Sequence, residues 1–183
     1  MISLTFRTAT PSDAPKIQPL VQSAYRGESS RKGWTTEADL LTGTRIDIPG
    51  ITTKILTPNS AVLLAYTTTQ ENEELIACCE VLQKSSDTAY FGMFAVDPER
   101  QAGGIGKQVL AYAEEYARRN YGVKKMEMTV IGVRKELIGW YRRRGYRDTG
   151  KRGEFPVEEV KGMGGHAVRD WKELGFVVLE KGL

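Results

Sequence analysis

The sequence predicts a mixed α/β fold, α+β in arrangement, in which helices pack on a mixed sheet. Three observations carry that expectation. The first half holds three apolar runs of strand length, AVLLAYTTT, ELIACCEVLQ and TAYFGMFAV. A stretch with apolar residues at helical spacing follows, and strand and helix patterns then alternate towards the C-terminus.

Taken in order, ISLTFRTA alternates Ile2, Leu4 and Phe6 and predicts a strand. A turn at Pro11 leads into a helix carrying Ile17, Leu20, Val21 and Ala24, which Pro19 should kink or delay. The segment RGESSRKGWTTEADLLTGTRID is polar and glycine-punctuated, and TTEADLL within it reads as a short capped helix. The next two runs are separated by the polar QENEE, which predicts an antiparallel hairpin; the third ends at Asp97-Pro98. Ile105, Val109, Leu110, Ala113 and Ala117 then mark one face of an amphipathic helix that ends near Gly122. KKMEMTVIGV is a strand, KELIGWYRRRG a short helix stopped by Gly145, and GFVVLEK the last strand.

A length of 183 residues suits one domain, 1–183, and the formal net charge of +3 suits a phosphorylated small molecule better than a nucleic acid. MISLTFRTATPSD has no apolar signal region, and no segment approaches the roughly 20 apolar residues of a membrane span. The expectation is a cytoplasmic protein with no membrane and no nucleic-acid partner. Cys78 and Cys79 are adjacent in an apolar run, which predicts reduced, packed thiols, and no ligand cluster for a metal surrounds them.

The stretch VDPERQAGGIGKQ, Val96 to Gln108, places three glycines where a helix begins. Unpaired N–H groups and the positive end of the helix dipole point to the same place there, so the loop can attract an anion. Glycine lets the backbone approach that anion closely. A Walker A loop would need glycine at 101 and Ser or Thr at 108, where Gln101 and Gln108 stand. A dinucleotide fingerprint starting at Gly104 would need glycine in place of Val109.

The series Gln101-Ala102-Gly103-Gly104-Ile105-Gly106, after a strand ending FAVDP and before an amphipathic helix, resembles motif A of the GNAT superfamily of acetyl-CoA-dependent N-acetyltransferases. YRRRGY, Tyr141 through Tyr146, resembles that family's second signature, Tyr-x-x-x-Gly followed by Phe or Tyr. The resemblance implies the GNAT fold, a mostly antiparallel central sheet with flanking helices. It also implies that acetyl-CoA is the cofactor. Its pyrophosphate would lie on the backbone N–H groups of Gln101, Ala102, Gly103, Gly104, Ile105 and Gly106 with Lys107 beside them, and its pantetheine arm along Phe94, Ala95 and Val96. A backbone N–H of that strand would stabilise the oxyanion.

Tyr141 is the candidate for protonating the departing thiolate, because a phenol with a reference pKa of about 10 keeps its proton at neutral pH. Packing on the sheet is its alternative role. The attacking amine must lose a proton. Some relatives use a glutamate at the position aligned with Tyr90, so Glu80, amid ACCEVL, is the substitute candidate, with a structural ion pair as the other reading. Many relatives have Asn where this chain has Arg134, which either contacts a cofactor phosphate or caps the sheet edge near Glu136. Arg142, Arg143, Arg144 and Arg147 read as a solvated helix face. Trp34, Glu37 and Asp39 are expected to bind substrate, the carboxylates by attracting a cationic amine, with Asp47, Glu158, Glu159 and Trp171 as further candidates. His166 lies in GMGGHAV, a poor place for a base.

The resulting expectation is transfer of acetyl from acetyl-CoA to a primary amine by direct attack in a ternary complex, without a metal. The acceptor is expected to be a small molecule or amino acid, with a homodimer as one arrangement of the chain. Acetylation of a protein or peptide, and a catalytically silent acyl-CoA sensor, are the alternatives.

Overall fold

A computed structural model of the chain describes residues 3–68, 73–101, 103–168 and 170–183. Ile2, Ala102 and most of the QENEE hairpin turn lie outside the described residues. The elements are β1 (Leu4–Thr8), α1 (Ala14–Tyr25), α2 (Gly27–Ser30), α3 (Ile48–Leu56), β2 (Ser60–Thr68), β3 (Glu73–Gln83), β4 (Thr88–Val96), α4 (Ile105–Tyr121), β5 (Lys125–Ile131), α5 (Lys135–Arg142), β6 (Arg147–Gly153), α6 (Val157–Gly162) and β7 (Phe176–Gly182).

The strands form one seven-stranded sheet in the order β1-β2-β3-β4-β5-β7-β6. Every pairing is antiparallel except β4 with β5. That parallel ladder runs only from Thr88 to Tyr90 against Lys125 to Glu127. Beyond Tyr90 the two strands part, so the edge of β4 from Phe91 to Val96 has no strand partner on the β5 side among the described residues.

The apolar runs are continuous because both faces of the sheet are covered. One core holds Leu63, Cys79, Val81 and Phe91 against Ile105, Val109, Leu110 and Ala113 of α4. The other holds Val62, Leu64, Cys78 and Ala95 against Ile17 and Val21 of α1 and Ile51 of α3. The adjacent cysteines thus point to opposite faces, and both are free and buried. No described helix is long and apolar enough to cross a membrane.

Two local expectations are corrected, and two elements form that the sequence pattern did not predict. TTEADLL is a single turn, closed by Leu40 and Leu41 N–H groups on the Glu37 carbonyl, because the Glu37 side chain is drawn inward to two arginines. The helix that does form in this region is α3. Asp47 caps it by accepting from the Gly50 N–H at 2.8 Å, and Pro49 sits in its first turn. α1 starts at Ala14 and runs through Pro19 to Tyr25, so the proline does not delay it. β6, RDTGKRG, forms at the sheet edge without any apolar alternation, because β7 supplies its partner groups.

Candidate active site

β4 carries the irregularity that organises the site. Cys78 pairs with Ala95 and Glu80 with Gly92, so Met93 and Phe94 together face Cys79. That is a bulge, and Met93 adopts φ 43°, a left-handed conformation uncommon for a side-chain-bearing residue. The bulge lies just past the point where β4 leaves β5.

The loop after β4 is braced from both sides. Gln101 donates from Nε2 to the Val96 carbonyl at 3.1 Å and accepts the Trp34 N–H on Oε1 at 3.0 Å. A side chain at Gly33 would start 2.5 Å from that Oε1, which accounts for glycine there. Gly104 caps α4 at φ 77°, and the first helical bond runs from the Gln108 N–H to the Gly104 carbonyl at 3.2 Å. The N–H groups ahead of it, at Ile105, Gly106 and Lys107, have no intrahelical acceptor. A side chain at Gly106 would reach within 3.4 Å of Phe94 Cζ and Trp140 Cζ2, so the glycine keeps this wall open.

A cleft of about 480 Å³ opens above the loop, lined by Phe94, Val96, Gln101, Gly104, Ile105, Gly106 and Lys107 together with Trp34, Arg134, Trp140, Tyr141, Arg143 and Arg144. Four of its lining residues are cations and none, among the described residues, is a carboxylate. Arg143 and Arg144 therefore do not belong to a merely solvated face. Arg144 lies 3.5 Å over the Trp140 ring and its Nε is buried without a partner. Burial, with Arg143 beside it, lowers the Arg144 pKa below its ordinary value, a cost that an anion in the cleft would relieve.

A second cavity of about 310 Å³ lies on the other side of the bulge. It shares Tyr25, Phe94, Arg134, Leu137 and Tyr141 with the cleft and adds, among others, Glu37, Arg45, Lys54, Glu80, Tyr90, Met93 and Glu159. Tyr141 thus stands where the two spaces meet. Its ring packs edge-on against Trp140 and Tyr146, and its hydroxyl has no hydrogen-bond partner among the described residues. Burial, then the neighbouring Tyr25, raises its pKa well above the ordinary phenol value, so its proton is retained.

The remaining candidates divide. Glu80 is buried and forms an ion pair with Lys54 at 2.7 Å. Glu37 is buried and holds Arg26 at 2.5 Å and Arg134 at 2.7 Å. Burial acts to raise the Glu37 carboxyl, but Arg134, Arg45 and Arg26 outweigh it and hold the pKa below the usual carboxylate range. Arg134 also donates to Thr35 at 2.9 Å, so it is bound to the chain itself rather than standing free for a phosphate. Asp39 pairs with Arg31 on the surface and lines neither space. Trp34 belongs to the cleft, where it stacks on Trp140, and not to the second cavity. Trp171 packs on Phe155, Asp47 caps α3 and Glu158 pairs with Lys161, none of them lining either space. Phe94 and Val96 line the cleft; Ala95 faces the α1 core. Tyr25, Arg45, Lys54, Trp140 and the arginines after Tyr141 were not singled out for the site in the sequence. For the arginines the signal was present, since they sit inside YRRRGY.

The family model for the acetyltransferase (GNAT) family matches residues 21–146. Among solved structures, the chain is similar to a GNAT family acetyltransferase from Elizabethkingia anophelis with acetyl-CoA bound, at 17% identity and TM-score 0.64, covering 98% of each chain. It is similar to the ribosomal-protein-S18-alanine N-acetyltransferase from Escherichia coli at 13% identity and TM-score 0.67, covering 98% of this chain and 94% of that one. A spermidine/spermine N-acetyltransferase from Vibrio cholerae matches at 14% identity and TM-score 0.64, over 98% and 92% of the two chains. No protein of curated function matches the chain in sequence. The bulged, diverging strand, the glycine loop at the start of α4 and the family match agree, and the chain belongs to the GNAT family of acetyl-CoA-dependent N-acetyltransferases.

Proposed function

We propose that this single-domain enzyme moves an acetyl group from acetyl-CoA to the primary amine of a small molecule or amino acid, by direct attack while both are bound. The observation that carries the reading is the meeting of two spaces at Tyr141 and the bulge, one lined by cations alone among its charged residues, the other smaller and mixed in charge. The residues fit the cofactor. Backbone donors at Ile105 to Lys107 and the side chains of Lys107, Arg143 and Arg144 would hold its phosphates. The edge from Phe94 to Val96, which no described strand pairs on the β5 side, would pair with its pantetheine amides, as an added strand does. When bound, the cofactor supplies the activated acetyl group.

The chain's own residues supply the rest. A main-chain N–H at the bulge stabilises negative charge building on the carbonyl oxygen as the C–N bond forms. Tyr141 gives its proton to sulfur as the C–S bond breaks. Glu80, facing the second cavity across from Gly92, is assigned the proton that the amine releases. Glu37 has a different role from the one expected: its carboxylate is committed to two arginines and holds the cavity wall. Three cations and three carboxylates line the second cavity, which gives a polycationic acceptor no net attraction there. An acetyl-CoA turnover screen over amines, amino acids and peptides tests the reading. Release of coenzyme A thiol with a small amine supports it; tight acetyl-CoA binding with no turnover on any acceptor would replace it with the sensor role.

A further inference from the structure

Three carboxylates line the second cavity, Glu37, Glu80 and Glu159, and one of its three cations forms no ion pair with any of them. Both Glu37 oxygens are taken, by Arg26 and Arg134, and Glu80 Oε2 is paired with Lys54. Arg45 lines the same cavity, yet its guanidinium has no ion-pair or hydrogen-bond partner among the described residues. It lies 5.0 Å over the ring of Tyr25, whose hydroxyl is bonded to the bulge carbonyl of Phe94.

This arginine is placed by the fold. The Arg45 N–H donates to Gln22 Oε1 at 2.9 Å, and Gln22 Nε2 in turn donates to the Gly43 carbonyl at 3.1 Å. Gln18 Nε2 holds the Ile46 carbonyl at 3.3 Å. Two glutamines one turn apart on α1 thus brace the loop on both sides of Arg45. Arg134 lines the same cavity, but its terminal nitrogens are taken by Glu37 and Thr35 and its Nε is shielded from the surface, so Arg45 is the guanidinium left to meet a ligand. Arg26, Arg45 and Arg134 all act on Glu37, whose two oxygens are taken by Arg26 and Arg134, so Arg45 is the one of the three without a carboxylate partner among the described residues. Carboxylates match the planar guanidinium fork closely.

We infer that the acceptor is an amine that also carries a free carboxylate, an amino acid or a close derivative, and that Arg45 binds that carboxylate and turns the amine towards the bulge. The inference rests on the reading of the second cavity as the acceptor site. It makes Arg45 a specificity residue rather than a part of the acetyl-transfer chemistry.

The test uses the full chain with acetyl-CoA and matched acceptors: free amino acids, their carboxamides, the corresponding decarboxylated amines, and spermidine. The expected result is a kcat/KM for at least one free acid tenfold or more above its carboxamide, although the carboxamide's amine is less protonated and intrinsically better placed to attack. In Arg45→Gln, the KM for that acid should rise tenfold or more, its preference over the carboxamide should collapse, and the KM for acetyl-CoA should stay near the wild-type value. Arg45→Lys should restore part of the preference. Turnover indifferent to the carboxylate, a preference for spermidine, or a preference that survives Arg45→Gln overturns this inference and leaves acetyl transfer standing. Absence of turnover on every amine, with acetyl-CoA bound, overturns the acceptor reading and this inference together.

Discussion

The Tyr25 hydroxyl donates a 2.7 Å hydrogen bond to the Phe94 carbonyl, fastening the last residue of α1 to the bulged strand where the two cavities converge. Burial, only partly offset by Arg45, pushes the Tyr25 pKa up to about 12, so the bond has its proton throughout the neutral range. Tyr25→Phe is expected to cost about 1 kcal/mol of stability, the usual net worth of such a bond. It should also raise the KM for acetyl-CoA a few-fold by loosening the strand edge. Urea unfolding and initial-rate kinetics measure the two effects separately.

Tyr141→Phe should lower kcat by roughly 10²–10⁴-fold, the range of a lost general acid. Affinity for acetyl-CoA should hold, and so should the unfolding midpoint, because the hydroxyl has no partner to lose among the described residues. The ring contacts with Trp140 and Tyr146, at 5.0 and 5.8 Å, survive the change. Full activity in this variant across pH would return Tyr141 to a packing role.

Glu37→Gln leaves Arg26 and Arg134 without their buried counter-charge and should destabilise the fold by about 3–5 kcal/mol. The pH dependence has a definite sign. Because the folded pKa lies below the unfolded one, this carboxylate stabilises the protein above the ordinary carboxylate range and loses that contribution as pH falls through it. Stability curves from pH 3 to 7 should be steeper for wild type than for the variant; parallel curves would disprove the assignment.

Gly104 and Gly106 should fail differently. At Gly104 a side chain would meet nothing within 4 Å, but φ is 77°, so Gly104→Ala is expected to cost about 1–2 kcal/mol through the backbone alone. At Gly106 the space runs out against Phe94 and Trp140, so Gly106→Leu should block the cleft. Calorimetry with coenzyme A should find its affinity lost while the thermal midpoint falls less than its affinity loss would suggest. Retained binding in Gly106→Leu would move the cofactor elsewhere.

The buried thiols predict alkaline instability. Burial raises the Cys78 pKa from 9.0 to about 12, and the Cys79 thiol is raised too, by burial and then by Cys78 and Glu80. Unfolded chains release these protons first, so stability should fall as pH climbs from about 9 towards 12. Cys78→Ala should flatten that decline in denaturant midpoints recorded between pH 7 and 11.

Local pattern was enough for the elements that are either amphipathic or apolar throughout. β2, β3, β4, α4, β5 and β7 appear where AVLLAY, ELIACCEVL, TAYFGMFAV, IGKQVLAYA, KKMEMTVI and GFVVLEK predict them. Those residues bury the same side chains whichever neighbour they meet. The loop Gln101 to Lys107 and the signature Tyr141 to Tyr146 were legible for the same reason, since glycine and tyrosine at fixed spacing constrain a backbone and a hydroxyl locally.

Tertiary structure decided what depends on partners distant in the chain. RDTGKRG has no strand pattern of its own and becomes β6 only because β7 offers a ladder. Glu37 looks like a helix-start residue and is instead drawn to Arg26 and to Arg134, 97 positions away. Glu80 meets Lys54 from a helix that sequence periodicity did not show, and Arg45 is held over Tyr25 by glutamines of α1. A charge has no periodicity: its role is set by which opposite charge the fold brings within a few ångströms, and that is a property of the folded chain alone.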